Sequence, residues 1–310
     1  MIIAKSALTK SQMDCKMNLG ADALEIQLLS ELIDNDNIAS AFPNLGECLN
    51  MPVYSIHTPL VQYTNSASRL DILIEVLVRS NYINLFENIC KLANEFGVVQ
   101  NKVVWIVVHS SLTSSCLETA DKDLIESIIE SLIILLEKYK NIGIALENVT
   151  PVKYFNKGEF EVCNNFLYDN VEIIKYLRKR MPKFANRLVT VLDTCHAEMS
   201  IQFIRSMNVL FDNELIDIPR LQDYFEANKD VLKFIHLSRT VLNGNGIGRH
   251  GQPFTEGTRD YIHDVLDYMH KCKEDDCDIV LEVAETDYNR SLGFDISNKL
   301  LREELDFFKE

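Results

Sequence analysis

The chain alternates short, continuously apolar runs with longer stretches in which apolar residues recur at helical spacing. Apolar runs of roughly four to eight residues, rich in Val, Ile and Leu, predict strands that are buried on both faces, as in parallel sheets. Eight such strands are predicted, over Ile2–Lys5, Ala23–Gln27, Pro52–His57, Val103–His109, Gly143–Glu147, Leu188–Asp193, Leu232–Leu237 and Asp278–Glu282.

Helical periodicity fills the intervals between these strands. The predicted helical segments are Thr9–Met17, Glu31–Cys48, Ala67–Phe96 (two helices), Asp121–Lys140, Val171–Arg180, Ala197–Met207, Gly257–Cys272 and Ile296–Phe308. Eight strand–helix units favour an α/β fold of the closed (β/α)8 TIM barrel type. An open Rossmann-like sheet is the alternative, but the chain lacks the GxGxxG that would follow its first strand. No Pro/Gly/Ser-rich linker interrupts the pattern, so we expect a single barrel domain over residues 1–310.

Composition and charge narrow the classes of function. The 310 residues are 47% hydrophobic, which allows a large buried core. The net charge of -15 disfavours non-specific binding to nucleic acid, which depends on Lys and Arg.

The most apolar stretch, residues 124–140, is interrupted by Glu126, Glu130 and Glu137, which indicates an amphipathic helix and no membrane span. Eight scattered cysteines without a CxxC pair, and no apolar leader, are typical of reduced thiols in a cytoplasmic protein.

Side chains that can bind metal close most of the predicted strands. They are His57, His109, Glu147, Asp193, His236 and Glu282, with His196 three positions after Asp193. Because all strands of a parallel barrel open onto one face, these seven side chains can converge there. A lone histidine at a strand end is more often a hydrogen-bonded structural residue than a ligand, and a lone Glu or Asp there is also explained by capping of the next helix. Together they would bury several charges, which is costly without a partner, and a divalent cation supplies that partner.

The ligand types restrict the metal. Mixed imidazole and carboxylate groups favour Zn, Mn, Co or Fe over Ca²⁺, which prefers oxygen alone. Mg²⁺ is compatible with the carboxylates and less so with the histidines. Cys195 lies between Asp193 and His196, and we interpret it as a small apolar filler beneath the site and not as a nucleophile.

Six motifs around these residues resemble the xylose-isomerase-like barrel superfamily, which contains sugar and sugar-phosphate isomerases and epimerases and also endonuclease IV. The motifs are SIHTPL (55–60), VVHSS (107–111), ALENVTP (145–151), LDTCHAEMS (192–200), FIHLSR (234–239) and LEVAE (281–285). The resemblance covers nearly the whole chain and implies a metal site formed by Glu147, Asp193, His236 and Glu282. It also implies that Glu147 and Glu282 are catalytic, one removing a proton beside a carbonyl and the other returning it.

The endonuclease IV branch of this superfamily has further histidines that bind additional zinc ions. His57 and His109 match ligands of a second zinc, and His196 and His250 match two ligands of a third. That branch has an Asp two positions before the last histidine, where this chain has Gly248, and this departure weighs against a third zinc. We therefore expect these four histidines to contact a second metal or the substrate. Arg239, which lies near the predicted mouth of the barrel at the carboxyl ends of its strands, is a further candidate for this second site or for substrate binding.

The resemblance leaves three functions open. The first is a metal-dependent isomerase or epimerase of a sugar, a sugar phosphate or a polyol, which the acidity of the chain favours. The second is an endonuclease IV-like zinc phosphodiesterase acting on abasic DNA, although the mouth segments 58–68 and 110–123 carry one Lys and no Arg. The third is a non-catalytic barrel that binds a small ligand or a partner protein, and the complete ligand set argues against it.

Overall fold

Eight parallel strands close into a barrel, because the first strand pairs with both the second and the last. The computed structural model describes residues 1–28, 45–59, 61–63, 69–113, 117, 122–149, 152–154, 160–162, 169–210, 217–242, 248–273 and 277–308. The barrel strands are β1 Ile2–Ser6, β2 Ala23–Gln27, β3 Val53–His57, β4 Val104–His109, β5 Ile142–Glu147, β6 Leu188–Asp193, β7 Leu232–Leu237 and β8 Asp278–Leu281. Every strand agrees with its predicted bounds to within one residue, and the predicted (β/α)8 barrel is confirmed.

Helices cover the outside of the barrel. They are α1 Lys10–Asn18, α2 Leu45–Cys48, α3 Ile74–Leu77, α4 Ile83–Gln100, α5 Lys122–Lys138, α6 Asp169–Arg180, α7 Thr194–Leu210, α8 Leu221–Asn228, α9 Arg259–Lys273 and α10 Leu292–Phe307. Helix α4 shows why these segments are helical, since its buried residues Phe86, Ile89, Cys90, Ala93 and Phe96 recur at helical spacing and form one apolar face. Within the described ranges, no helix is both long and apolar enough to cross a membrane.

Three antiparallel ribbons differ from the sequence-based expectation. Arg69–Asp71 pairs with Val61–Tyr63, so the helix predicted from Ala67 begins only at Ile74. Similar ribbons follow β5 (Val152–Tyr154 with Phe160–Val162) and β7 (Arg239–Leu242 with Gly248–Gln252). Strands of three to five residues carry too few alternating positions to be recognised from sequence. Because the ribbons follow β3, β5 and β7, each begins at the carboxyl end of a barrel strand.

Two helical segments also differ from expectation. Helix α8 was not predicted, because only a few of its residues, among them Tyr224 and Phe225, are apolar and buried. Most of the helix predicted over Glu31–Cys48 lies outside the described residues, and its described end is helical from Leu45. The six cysteines in the described part of the chain form no disulfide; they are Cys15, Cys48, Cys90, Cys195, Cys272 and Cys277.

The lower part of the barrel interior is filled by apolar side chains. They are Ile3, Ala23, Tyr54, Trp105, Val107, Ala145, Val189, Val191, Phe234 and Val280. Trp105 fits only because β5 has no side chain beside it, since a Cβ atom at Gly143 would lie 2.4 Å from Cζ3 of Trp105. Trp105 is thus a packing residue of this apolar interior. We call this apolar layer the floor of the barrel. Polar side chains can then occupy the interior above it, at the carboxyl ends of the strands.

Candidate metal centre at the carboxyl ends of the strands

Each barrel strand contributes one polar side chain to a layer above this apolar floor. On seven of the eight strands this residue follows an interior apolar position at a period of two, as in Ile3 and Lys5 or Phe234 and His236, whereas His57 follows Ser55. The eight residues, which we call the polar ring, are Lys5, Glu25, His57, His109, Glu147, Asp193, His236 and Glu282. Four carboxylates and one ammonium give the polar ring a formal charge of −3 when its histidines are neutral. Burial of a layer with this charge is costly unless protons or cations offset it.

Glu147 lies at the centre of the polar ring. Its Oε2 atom is 3.0 Å from Nε2 of His57 and 3.1 Å from Nε2 of His109. Its Oε1 atom is 3.2 Å from Nδ1 of His236, and that nitrogen is also 3.1 Å from Oε2 of Glu282. Burial by itself raises the pKa of the Glu147 carboxyl, but His236 and His109 outweigh burial and hold this pKa well below its usual range. Glu147 is therefore an anion that three imidazoles approach.

Hydrogen bonds made by the other ring nitrogen fix which imidazole nitrogen faces Glu147. Nδ1 of His57 donates to the backbone oxygen of Thr58 at 2.8 Å, so Nε2 faces Glu147. Nε2 of His236 donates to Oε2 of Glu25 at 3.1 Å, so Nδ1 faces Glu147 and Glu282. A neutral imidazole that donates through one nitrogen presents a lone pair at the other. Each inward nitrogen then faces a carboxylate oxygen, an arrangement that needs a proton or a metal ion between them.

The two histidines differ in their affinity for that proton. Burial lowers the pKa of His57 and favours its neutral form. Burial also lowers the pKa of His236, but the carboxylates of Glu25 and Glu147 outweigh it and raise the pKa well above its usual value. A metal that binds Nδ1 of His236 therefore competes with a proton.

Among the described residues, two overlapping groups of ligand atoms are close enough to hold a metal. One is Glu147, Asp193, His236 and Glu282, and the other is His57, Glu147 and His236. Within each group, one ligand atom from every residue lies within 4.8 Å of the others. The first group is the set that the family resemblance implied. One imidazole and three carboxylates suit Zn, Mn or Co, so these residues fit the metal that the sequence suggests.

Asn148 connects the ends of β5 and β6 and thereby places two of the expected residues. Its side-chain amide donates to the backbone oxygen of Asp193 at 3.0 Å and accepts from the backbone N–H of Asp193 at 2.7 Å. Nδ1 of His196 donates to the backbone oxygen of Asn148 at 2.7 Å and lies 3.6 Å from Oε1 of Glu147. Asp193 also accepts from the backbone N–H of His196 at 2.8 Å, so it caps α7 while facing the polar ring.

Lys5 and Glu25 were not among the residues expected from sequence. Nζ of Lys5 lies 2.6 Å from Oε1 of Glu282 and 3.9 Å from Oε1 of Glu25. Burial alone lowers the pKa of Lys5, but Glu282 and Glu25 outweigh it and raise this pKa, so Lys5 is a cation. A signal for Glu25 was present, because a charge in the middle of the apolar run ALEIQ must face a polar interior when both faces of the strand are buried.

The ribbon after β7 carries the two remaining expected residues. Arg239 pairs with Gln252 across the ribbon and is half-buried. Its charge acts on Glu198, where burial raises the pKa of the carboxyl to about 7 and Arg239 opposes the rise. The backbone of His250 belongs to the same ribbon, but its side chain lies outside the described residues. Cys195 is buried beneath the site, and burial raises the pKa of its thiol, as expected of a filler and not of a nucleophile.

Comparisons with known proteins give a likeness of fold. No protein-family model matches this chain, and no curated protein sequence matches it. A xylose isomerase domain protein from Planctomyces limnophilus superposes with a TM-score of 0.56 at 11% identity, covering 99% of this chain and 95% of that one. D-psicose 3-epimerase from Clostridium cellulolyticum H10, crystallised with D-tagatose, gives 0.52 at 13% identity, covering 99% and 98%. An L-ribulose 3-epimerase also gives 0.52 at 13% identity, covering 100% and 96%. The chain therefore has the fold of the xylose-isomerase-like (β/α)8 barrels, in agreement with the resemblance of its sequence motifs.

Proposed function

We propose that this chain is a metal-dependent isomerase or epimerase of a sugar, a sugar phosphate or a polyol. The observation that carries the proposal is the approach of two carboxylates, from Glu147 and Glu282, to the same nitrogen of His236 at 3.2 and 3.1 Å. Two of the structures with this fold are named as sugar 3-epimerases, which supports a small carbohydrate substrate. A cytoplasmic location belongs to the same proposal.

Glu147, Asp193, His236 and Glu282 would hold the metal, with Zn, Mn or Co preferred. When bound, the metal supplies positive charge that polarises the carbonyl and hydroxyl oxygens of the substrate. One of the two Glu carboxylates removes the proton from the carbon beside the carbonyl, and the other returns a proton to the planar intermediate. Asp193 and His236 hold the metal without a part in proton transfer.

The two Glu residues have the different environments that such a division of work requires. Glu147 is buried among histidines, while Glu282 is partly exposed, with 17% of its side-chain surface accessible, and forms an ion pair with Lys5. His57 and His109 contact the far oxygen of Glu147 and orient its carboxylate. The more accessible Glu282 is the one that can exchange its proton with solvent.

A zinc phosphodiesterase of the endonuclease IV type is the second candidate. The observation in its favour is that His57 and His109 approach Oε2 of Glu147 while His236 approaches Oε1, so Glu147 together with these three histidines would hold more than one metal. Two-metal sites of this kind stabilise both the attacking and the leaving oxygen of a phosphodiester. The acidic chain and Gly248 weigh against it. A non-catalytic barrel would not need two carboxylates at one ligand nitrogen.

Solvent exchange tests the isomerase proposal. The protein, loaded with Mn²⁺, Co²⁺ or Zn²⁺, is incubated in D₂O with a panel of ketoses and their phosphates, and deuterium at the carbon beside the carbonyl is measured by NMR. We expect incorporation by the wild type and its loss in both Glu147→Gln and Glu282→Gln, because each variant lacks one of the two proton-transfer groups. Exchange that persists in both variants rejects the mechanism.

A parallel incubation separates the two candidate functions. The same preparations are mixed with a DNA duplex that contains an abasic site, and strand cleavage is followed together with the metal content of the protein. Cleavage by a protein that holds two or more zinc ions favours the phosphodiesterase. Glu75→Gln serves as a control in both assays, since the partners of this buried carboxylate are the Ser110 hydroxyl and the backbone N–H groups of Ser111 and Leu112.

A further inference from the structure

Glu25 is a fully buried carboxylate that contacts the proposed metal ligand His236 at Nε2, the nitrogen that does not face Glu147 and Glu282. Its Oε2 atom accepts hydrogen bonds from the hydroxyl of Ser55 at 2.7 Å and from Nε2 of His236 at 3.1 Å. In the described part of the chain, no hydrogen bond reaches Oε1 of Glu25, and the ammonium of Lys5 lies 3.9 Å from it. Glu25 lies on β2 and His236 on β7, so this contact crosses the barrel interior.

This hydrogen bond determines what His236 offers to a metal. While Nε2 donates to Glu25, Nδ1 is the nitrogen that faces Glu147 and Glu282, and it becomes available to a metal once its proton is displaced. A carboxylate on the outer nitrogen also makes the imidazole a better electron donor to a metal. Without an acceptor at Glu25, a neutral His236 could carry its proton on either nitrogen, and one of the two forms cannot bind the metal through Nδ1.

The positive charge of Lys5 offsets the burial of the Glu25 carboxylate beside the four proposed metal ligands. Its ammonium lies between Glu282 and Glu25 and is mostly buried, with 14% of its side-chain surface accessible. A carboxylate without a nearby cation would be costly at a fully buried position. Strands β1 and β2 contribute none of the expected ligands, yet they contribute this pair in contact with the proposed ligands Glu282 and His236.

We infer that Glu25 is a positioning residue that fixes the tautomer and the orientation of His236 for metal binding, with Lys5 as its counter-charge. The inference rests on the proposed function only in so far as both need a metal at His236. It concerns metal affinity and not the reaction, so it can be tested without a substrate.

The test is the affinity of metal-free full-length protein for Co²⁺, followed by calorimetry and by the visible absorption of the bound ion. Glu25→Leu removes the acceptor, and we expect affinity to fall about 10- to 100-fold, the usual loss when such a supporting partner is removed. Glu25→Gln keeps an acceptor oxygen of the same reach, and we expect a smaller loss with a Co²⁺ spectrum closer to that of the wild type. Thermal unfolding of each metal-free variant is measured alongside.

Glu75→Gln is the matched control, since Glu75 is also a buried carboxylate at this end of the barrel and its partners are Ser110, Ser111 and Leu112. We expect its Co²⁺ affinity to equal that of the wild type. Equal affinities in the wild type and both Glu25 variants overturn the inference, and so does an equal loss in Glu75→Gln. If Glu25→Leu does not fold, Glu25→Gln alone decides. Weaker Co²⁺ binding by Glu25→Gln then supports the inference, and binding equal to that of the wild type overturns it. A wild type that binds no metal contradicts the proposed function as well as the inference. A wild type that binds metal as tightly as both Glu25 variants contradicts the inference alone.

Discussion

At the scale of single residues, the carboxyl group of Glu198, near Arg239 of the ribbon after β7, has a raised pKa. Glu198 lies on α7, two positions after His196, and is half-buried. Burial raises its pKa to about 7, although Arg239 acts in the opposite direction. An unfolded chain would leave this carboxyl near its ordinary pKa of about 4.3. The native state therefore holds the proton on Glu198 more tightly than the unfolded state does.

This difference predicts a pH dependence of stability. The contribution of a carboxyl whose native pKa is raised is fully present below its unfolded pKa and is lost as the pH rises through its native value, here about 7. Glu198→Gln removes this titration. We therefore expect the free energy of unfolding of the wild type to fall relative to that of Glu198→Gln as the pH rises from about 4.3 to about 7, measured by urea denaturation. A difference that stays constant over this interval would show that Glu198 titrates alike in both states.

At the scale of elements, the strands of the barrel could be predicted and the ribbons could not. A barrel strand is covered by helices outside and by packed side chains inside, so its apolar run is visible in the sequence, as in VVWIVVH before β4 ends at His109. The ribbon strands have only three to five residues and follow the barrel strands closely. The sequence pattern accordingly predicts a helix from Ala67 onward, whereas Arg69–Asp71 pairs with Val61–Tyr63 in a ribbon.

Packing within the barrel floor gives a prediction at this scale. A Cβ atom at Gly143 of β5 would lie 2.4 Å from Cζ3 and 2.5 Å from Cε3 of Trp105. Because Trp105 is buried in the floor and cannot move aside without displacing its neighbours, we expect Gly143→Ala to lower the free energy of unfolding by about 1–3 kcal/mol. Denaturant titration measures this change.

Gly46 of α2 provides the matched control. A Cβ atom there would have no atom within 4 Å, so Gly46→Ala should leave stability unchanged or raise it slightly through the better helix propensity of Ala. Equal stability of Gly143→Ala and the wild type would mean that the floor of the barrel is less tightly packed than the distances indicate.

At the scale of the whole molecule, closure of the barrel decides which charges meet. The convergence of Glu147, Asp193 and His236 could be predicted, because each residue ends, or nearly ends, an apolar run, and parallel strands bring such ends together. Lys5 and Glu25 could not be assigned in this way. Lys5 meets Glu282 only because β1 pairs with β8 across almost the full length of the chain, and Glu25 meets His236 only across the closed interior.

The charge of the polar ring leads us to expect that the whole molecule is stabilised by a bound divalent metal. With a formal charge of −3 in a mostly buried layer, the metal-free barrel should be less stable than the metal-bound one, since a ligand that binds only the native state stabilises it. At a metal concentration of about 100 times the dissociation constant, the gain should be about 2.7 kcal/mol.

The most direct test is therefore a titration of metal-free protein with Zn²⁺, Mn²⁺ and Co²⁺, read by calorimetry and by thermal unfolding in the same samples. We expect at least one of these ions to bind and to raise the unfolding temperature. We also expect both effects to be lost in Asp193→Asn combined with His236→Gln, because that variant lacks two of the four proposed ligands. A wild type that takes up none of the three ions, and gains no stability from them, would contradict the account.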